Sequence, residues 1–353
     1  MAAKMRDVAQ RAGVSQTTVS LVLNKKHIRS ISRETRQRVL EASRELKYHP
    51  NIHARRLALR CNNTVGLIIS EISNPFFADV IRAFERSASQ RGLDLILFNT
   101  EYESARVEAA VRKMVAEKVQ GVAVMTSMFD EVNVEELVRN RIHVVLLNPG
   151  PSLPRVRRIE INYSTGVVAA IKHLLDLGHR TFAVISGPPR SRTAVRIREI
   201  FLEALASKGL RCSRAVESDY KVEAGSAAIQ SILSQPPLPT AVLCNNDVIA
   251  LGAISALDEA GLRVPEDVSV VGVDDVFFAR LARPPLTTVA VPLEQLGKMA
   301  FATLESMRRS LQRTPESLTL ETYLVVRKST TVPRRKAAST PSPAVTKLLH
   351  VVV

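Results

Sequence analysis

Residues 5–24 read Met-Arg-Asp-Val-Ala-Gln-Arg-Ala-Gly-Val-Ser-Gln-Thr-Thr-Val-Ser-Leu-Val-Leu-Asn, and a few side chains in that run decide how the N-terminal part folds. Ala9 is small enough to let a second helix approach closely. Gly13 is free to take the positive φ that ends a first helix, and the Ser15 hydroxyl is placed to cap a second. Val8 and Ala9 then meet Val19 and Val22 in a small apolar seam. Gln16, Thr17, Ser20 and Leu21 are left on the outer face, at the helix end that a helix-turn-helix sets against base edges in the major groove. An Ala-Gly-Val spacing also occurs in ordinary helical hairpins, so the charge distribution must be weighed with it.

Residues 1–60 carry 14 Lys or Arg against 4 Asp or Glu, and residues 333–353 add Arg334, Arg335, Lys336 and Lys347 with no acid. The whole chain of 353 residues is +15, which leaves the long stretch between nearly neutral. A uniformly basic protein would not gather its charge at the two ends; a small phosphate-binding module joined to a neutral body would. Double-stranded DNA is the partner this implies.

Ser32 precedes a helical run in which Val39, Ala42 and Leu46 share one face. It closes a three-helix head that ends near Tyr48, before Pro50. Asn51 to Arg60 follows as Asn-Ile-His-Ala-Arg-Arg-Leu-Ala-Leu-Arg, basic and rich in helix formers. Isolated helices below about 12–15 residues are marginal in water, so this stretch is expected to fold only with help. The division read here is a head at 1–49, a hinge helix and linker at 50–62, and a body at 63–330.

From Val65 the pattern becomes α/β. Short apolar runs at 65–70, 95–100, 121–126, 144–148, 159–162, 181–187, 241–246 and 268–274 alternate with helical stretches, as buried parallel strands do. Asn74-Pro75 is a helix start, with Asn as cap and Pro at the first helical position. So many units exceed one small open sheet, and a Pro/Gly-rich break at 148–154 interrupts them. Two doubly wound lobes are therefore expected, at about 63–161 with 292–330 and at 162–291, with a ligand cleft at the carboxyl ends of their strands.

The length calls for two or three domains. The first 20 residues hold no continuous apolar stretch, and no run approaches the roughly 20 residues of a spanning helix, so no export, no membrane and a cytoplasmic location are expected. Cys61, Cys212 and Cys244 are odd in number and far apart, which reads as reduced thiols. No metal or cofactor is expected.

Several separated motifs now agree. The head holds Asp7-Val-Ala, Gly13-Val-Ser and Thr18-Val-Ser, and the hinge Tyr48-x-Pro-Asn51 and Ala54-Arg-Arg-Leu57. The body adds Val65-Gly-Leu, Asn74-Pro-Phe-Phe77, Leu177-Gly-His-Arg180, Pro239-Thr-Ala, Asn246-Asp247 and Ala250-Leu-Gly252. Val264-Pro-Glu-Asp-Val-Ser-Val-Val-Gly272, Asp274-Asp275 and Pro285-Leu-Thr-Thr288 complete the series. In this order and spacing the chain resembles the LacI/GalR family of bacterial transcription repressors from about Met5 to about Thr330.

The resemblance implies a helix-turn-helix head, a hinge helix and a two-lobed, periplasmic-binding-protein-like body. It places Gln16, Thr17 and Leu21 at the bases and Thr18, Ser20 and Asn24 near the DNA backbone, and it adds Ser15, Tyr48, Asn51, Ala54 and Arg55 to the DNA-contacting set. Leu57 matches a hinge leucine that wedges into the minor groove at the centre of the site. Gln16 suits an adenine edge, whereas Leu21 offers only apolar contact, as with a thymine methyl. A homodimer on a pseudo-palindromic operator follows from that geometry.

The resemblance also implies a small-molecule effector, such as a sugar or related metabolite, at Ser70, Phe76, Phe77, Asn148, Asn246 and Asp274. One position departs: isoleucine stands at Ile197, where the family often carries an arginine four residues before an aromatic. Loss of that bidentate clamp weighs against an ordinary sugar. Arg196 and Arg198 flank it and read either as surface charges or as a rescue by a shift in helix phase. An effector-independent regulator with a degenerate cleft is the alternative. A solute-binding protein would lack the basic head, and an enzyme built on Asp247, Asp274 and Asp275 would lack an accompanying histidine or nucleophile. Residues 331–353 show no sustained apolar heptads and read as a disordered basic tail without a helical tetramerisation segment.

Overall fold

The head begins with α1 (Met5–Ala12), whose first turn is fixed where the Lys4 N–H donates to the Asp7 carboxylate at 2.9 Å. It stops at Gly13, at φ 64°. There Val14 N–H donates to Ala9 O and Gly13 N–H to Gln10 O, the paired bonds of a Schellman ending. Helix α2 (Gln16–Leu23) opens on Ser15, whose Oγ accepts the Thr18 N–H at 3.1 Å. Helix α3 (Arg33–Glu45) opens on Ser32, which accepts from Thr35 N–H. Val8, Ala9, Ala12, Val19, Val22, Val39 and Ala42 form the head's core, so the apolar seam lies where the 5–24 spacing put it.

These coordinates come from a computed structural model that describes residues 3–23, 30–48, 63–147, 156–309 and 317–334. The chain divides into two compact units, with the boundary between Asn62 and Asn63.

In the second unit the described residues form two six-stranded sheets. The first contains β1 (Thr64–Ile69), β2 (Asp94–Asn99), β3 (Gly121–Met125), β4 (His143–Leu146), β5 (Val156–Asn162) and β11 (Ser317–Glu321). Its order is β11-β5-β4-β3-β1-β2, parallel throughout. The second contains β6 (Phe182–Ser186), β7 (Cys212–Glu217), β8 (Ala241–Cys244), β9 (Ser269–Asp274), β10 (Thr287–Ala290) and β12 (Tyr323–Val325), in the order β12-β10-β9-β8-β6-β7. Only β12 runs antiparallel, against β10. Helices α4 (Pro75–Ser89), α5 (Ser104–Ala116), α6 (Glu131–Arg139) and α11 (Leu293–Arg308) accompany the first sheet, and α7 (Tyr163–Asp176), α8 (Arg192–Ala206), α9 (Val222–Leu233) and α10 (Asp247–Glu259) the second.

Every residue of β1, β3, β6, β8 and β9 is buried, which is why these strands read as continuous apolar runs. The edge strand β7 alternates half-buried and exposed residues, and its Cys-Ser-Arg-Ala-Val-Glu composition hid it from the sequence reading. Helices α9 and α10 approach so closely that a Cβ on Gly252 would collide with the Val222 carbonyl oxygen, and one on Gly225 with that of Ile249.

The expected lobe division needs two corrections. Residues 323–330 were assigned to the first lobe, but β12 pairs with β10 of the second sheet, and Ser329 continues along β9, its carbonyl accepting from Val270 N–H and its Oγ from Thr287 N–H. Residues 331–334 were assigned to a disordered tail. Thr331 N–H instead donates to Ser269 Oγ at 3.1 Å, His179 Nε2 lies 2.8 Å from the Thr331 carbonyl, and Arg334 pairs with Asp267 at 2.5 Å. The physical reason is contact with segments remote in sequence, by backbone pairing for residues 323–329 and by side-chain bonds for residues 331–334. Residues 335–353 lie outside the described residues.

The chain therefore crosses between lobes near Asn162, Val291 and Thr322. Two of these crossings are bonded together: Asn162 Nδ2 and Thr165 Oγ1 both donate to Glu321 Oε2, at 2.9 and 2.6 Å. Thr322 Oγ1 donates to Asn162 O and accepts from Gly166 N–H. The donors on Glu321 hold its carboxyl below the ordinary glutamate range.

Candidate functional sites

In the head, Ser15, Gln16 and Thr17 are exposed, while Thr18, Ser20 and Leu21 are partly exposed. The face opposite the Val19/Val22 seam is thus polar and accessible, at a helix N-terminus where backbone N–H groups favour phosphate. Ser15 has a structural role as well, because its hydroxyl bonds both the Thr18 N–H and the Thr18 Oγ1. Tyr48, expected at the DNA, packs into the head's core. Its N–H donates to Ser43 O and its carbonyl accepts from Ser43 Oγ, so its first task is to close the head after α3. Asn24, Asn51, Ala54, Arg55 and Leu57 lie outside the described residues.

In the body, a cleft of about 530 Å³, its open mouth included, lies between the lobes at the carboxyl ends of their strands. Ser70 follows β1, Phe76 and Phe77 sit in the first turn of α4, Ile197 is on α8, Asn246 precedes α10, and Asp274 ends β9. All six line this one cleft, although they are spread over some two hundred residues of sequence. Asn148 lies outside the described residues. The sequence reading missed Tyr102, Tyr163 and Tyr220, and also Ser127, Ser191, Thr193 and Asn245. Nothing local marks them; each follows a strand or opens a helix, and only the sheet topology brings them together.

The aromatic lining joins both lobes. Tyr102, from the first, stacks on Tyr220, from the second, with ring centroids 6.3 Å apart and planes 30° apart. The Arg190 guanidinium lies over the same Tyr102 ring at 5.5 Å, a cation–π contact across the lobes. Phe76 and Phe77 meet edge to face at 5.2 Å. Burial pushes the Tyr102 hydroxyl up to about 12 and raises Tyr163 and Tyr220 as well, so all three remain neutral hydroxyls that donate or accept.

Polar groups are divided between scaffold and cavity. Asn74 and Asn246 spend their side-chain oxygens as helix caps, on Phe76 N–H and Ile249 N–H. Asp247 is fully buried behind the cleft, where its carboxylate accepts from Thr288 Oγ1 at 2.5 Å and from Val276 N–H at 2.9 Å. Desolvation nevertheless pushes it up to about 7. Asp274 is raised well above the ordinary aspartate range by burial and by Asp247. Its backbone is held at φ 115° and that of Asp275 at φ 57°, an uncommon conformation for two residues with side chains. The Asp275–Arg327 ion pair at 2.5 Å secures the turn.

The question left by Ile197 has an answer here. Its side chain is 2% exposed and belongs to the apolar core. Arg196 pairs with Glu199 and Glu203, and Arg198 with Glu217. Both are surface charges with acidic partners, and neither lines the cleft.

Residues 4–51 match the bacterial regulatory proteins of the lacI family, and residues 171–330 match the periplasmic binding protein-like domain. The chain is similar to the HTH-type transcriptional repressor PurR of Erwinia tasmaniensis, with 39% identity over 343 residues that cover 96% of this chain and 98% of that repressor. Among solved structures it resembles the Lac repressor dimer bound to operator and the anti-inducer ONPF, with a TM-score of 0.84 and 28% identity, covering 94% of this chain and 100% of that one. It also resembles the transcriptional regulator CelR in complex with cellobiose, with a TM-score of 0.69 and 30% identity over 93% of this chain and 99% of that one. No helix among the described residues is long and apolar enough to cross a membrane.

Proposed function

Because the chain belongs to the lacI family of bacterial regulatory proteins, we propose that it is a transcriptional repressor that binds a pseudo-palindromic operator as a homodimer and responds to a small molecule in the interlobe cleft. The observation that carries this reading is that the likeness to a repressor runs through head and body together, covering 96% of the chain. On this reading the protein is a cytoplasmic regulator and not an enzyme.

Gln16, Thr17 and Leu21 are the proposed base-reading side chains, with Ser15, Thr18, Ser20 and Asn24 beside the DNA backbone. Tyr48, Asn51, Ala54, Arg55 and Leu57 are proposed to continue the contact through the hinge. Gln16 is suited to a bidentate contact with adenine and Leu21 to a thymine methyl. The cleft supports the effector half of the reading because its lining comes from both lobes. A molecule held by Ser70 and Phe76 on one side and by Asn246 and Asp274 on the other fixes the angle between them, through the bonded crossings at Asn162 and Thr322. Operator and effector affinities are then linked, each altering the other by the same factor. The alternative, a regulator with a degenerate cleft, gains support from Ile197 but loses it to the polar atoms that the cleft keeps buried and unbonded.

The test is selection of bound duplexes from a random pool by the full-length protein at near-physiological salt. Two inverted half-sites about a fixed centre are expected. Binding that depends on salt but not on sequence overturns the reading.

A further inference from the structure

Among the described residues, Asn245 Oδ1 and the Asp274 carboxyl face the interlobe cleft without a donor. Asn245 is 1% exposed; its Nδ2 donates to Ala194 O at 3.0 Å, while its Oδ1 is buried without a partner. Asp274 is 7% exposed, and no hydrogen bond to its carboxyl occurs among the described residues. Buried acceptors left unpaired are costly, and such atoms in a native cavity mark where another molecule belongs. The turn that carries Asp274 is held at φ 115°, so the carboxyl is positioned by backbone that only strong surroundings maintain.

The charge of the cleft is as informative as its acceptors. No Lys or Arg lines it among the described residues. Arg190 is engaged on the face of Tyr102, Arg196 and Arg198 are paired with acids on the surface, and isoleucine fills position 197. An anion entering this site would lose its hydration with no cation on the lining itself to replace it. Flat walls are present on both sides, in the Phe76/Phe77 pair and the Tyr102/Tyr220 stack.

We propose that the effector is an uncharged or weakly basic ring compound with at least two hydrogen-bond donors, which meet the Asp274 carboxyl and the Asn245 side-chain oxygen, and that the cleft rejects anionic metabolites. This inference rests on the reading of the cleft as the effector site and narrows its chemistry. Burial and Asp247 both push Asp274 up, which favours the uncharged carboxyl and with it a neutral partner over a strongly charged one.

The test uses the full-length protein in thermal-shift and calorimetric titrations with matched ring metabolites that differ in charge. Suitable series are cytosine, uracil and orotate; glucosamine, glucose and glucuronate; and nicotinamide with nicotinate. At least one uncharged or weakly basic compound is expected to give saturable stabilisation, with its carboxylate counterpart binding at least tenfold more weakly. Asp274→Asn is expected to weaken that compound tenfold or more. Ile197→Arg is expected to narrow the gap in favour of the carboxylate, a gain that a misfolded variant cannot produce. A carboxylate that binds as tightly as its neutral partner to the unaltered protein overturns the inference and leaves the effector reading standing. No saturable binding by any compound overturns both.

Discussion

Substituting Asp247 by Asn tests whether the carboxyl behind the cleft is neutral in the folded protein. Burial raises it from the ordinary 3.8 to about 7, against the opposing hydrogen bonds from Thr288 and Val276. Below the ordinary value, folded and unfolded chains both hold the proton. Between 3.8 and about 7 the folded chain holds it and the unfolded chain does not, so stability falls as pH rises and levels off above the folded value. At about 1.4 kcal/mol per pH unit, this group removes on the order of 4 kcal/mol in all, of which ~2–3 kcal/mol falls between about pH 5 and pH 8. His143, His173 and His179 are lowered, chiefly by burial. They act in the opposite sense, adding stability as pH rises to their ordinary value, and they are common to both proteins. The assay is urea unfolding of the unaltered chain and of Asp247→Asn across that range, read as the difference between them. The variant is expected to gain on the unaltered protein by ~2–3 kcal/mol from the acid to the alkaline end, because Asn carries no proton to lose. A difference constant with pH refutes the argument and means that the Thr288 and Val276 donors keep Asp247 ionised.

Three further outcomes are expected. Gly13→Ala forces a side chain into the left-handed turn after α1 at φ 64°, at about 1 kcal/mol or more; faster amide exchange over residues 5–23 supports this, and unchanged protection counts against it. Gly252→Ala drives a Cβ into the Val222 carbonyl oxygen, so α9 and α10 must part; a loss of at least ~2 kcal/mol in body stability is expected, and an unchanged melting temperature rules the close approach out. Leu57→Ala, in the proposed hinge, is expected to weaken operator binding on the order of tenfold more than binding to random duplex; an equal loss for both in a competition assay rejects the wedge.

The head was legible because its determinants are local. Gly13 ends a helix, Ser15 caps the next, and Val8, Ala9, Val19 and Val22 meet across a turn of a few residues, so spacing along the chain is spacing in the fold. Tyr48 was harder, since nothing in a tyrosine beside a basic hinge shows that it also packs into the head's core. In the body, Asn74-Pro75 and the fully buried strands are likewise written in composition, and helical phase already turned Arg196 and Arg198 away from the cleft. The membership of β12 and of residues 326–334 was not legible, because it depends on pairing with β10 and β9 rather than on any property of Tyr323–Val325 itself.

Fold class, the order of head and body, and the accessible outer face of α2 follow from residue identity at short range, where hydrophobic period and capping chemistry act within one or two turns. Tertiary structure alone brings Tyr102 onto Tyr220, sets Asp274 and an unbonded Asn245 oxygen in one cleft, and raises Asp247 to about 7. Those properties depend on distances between segments far apart in the chain and on the exclusion of water, and neither exists until both sheets have closed around the cleft.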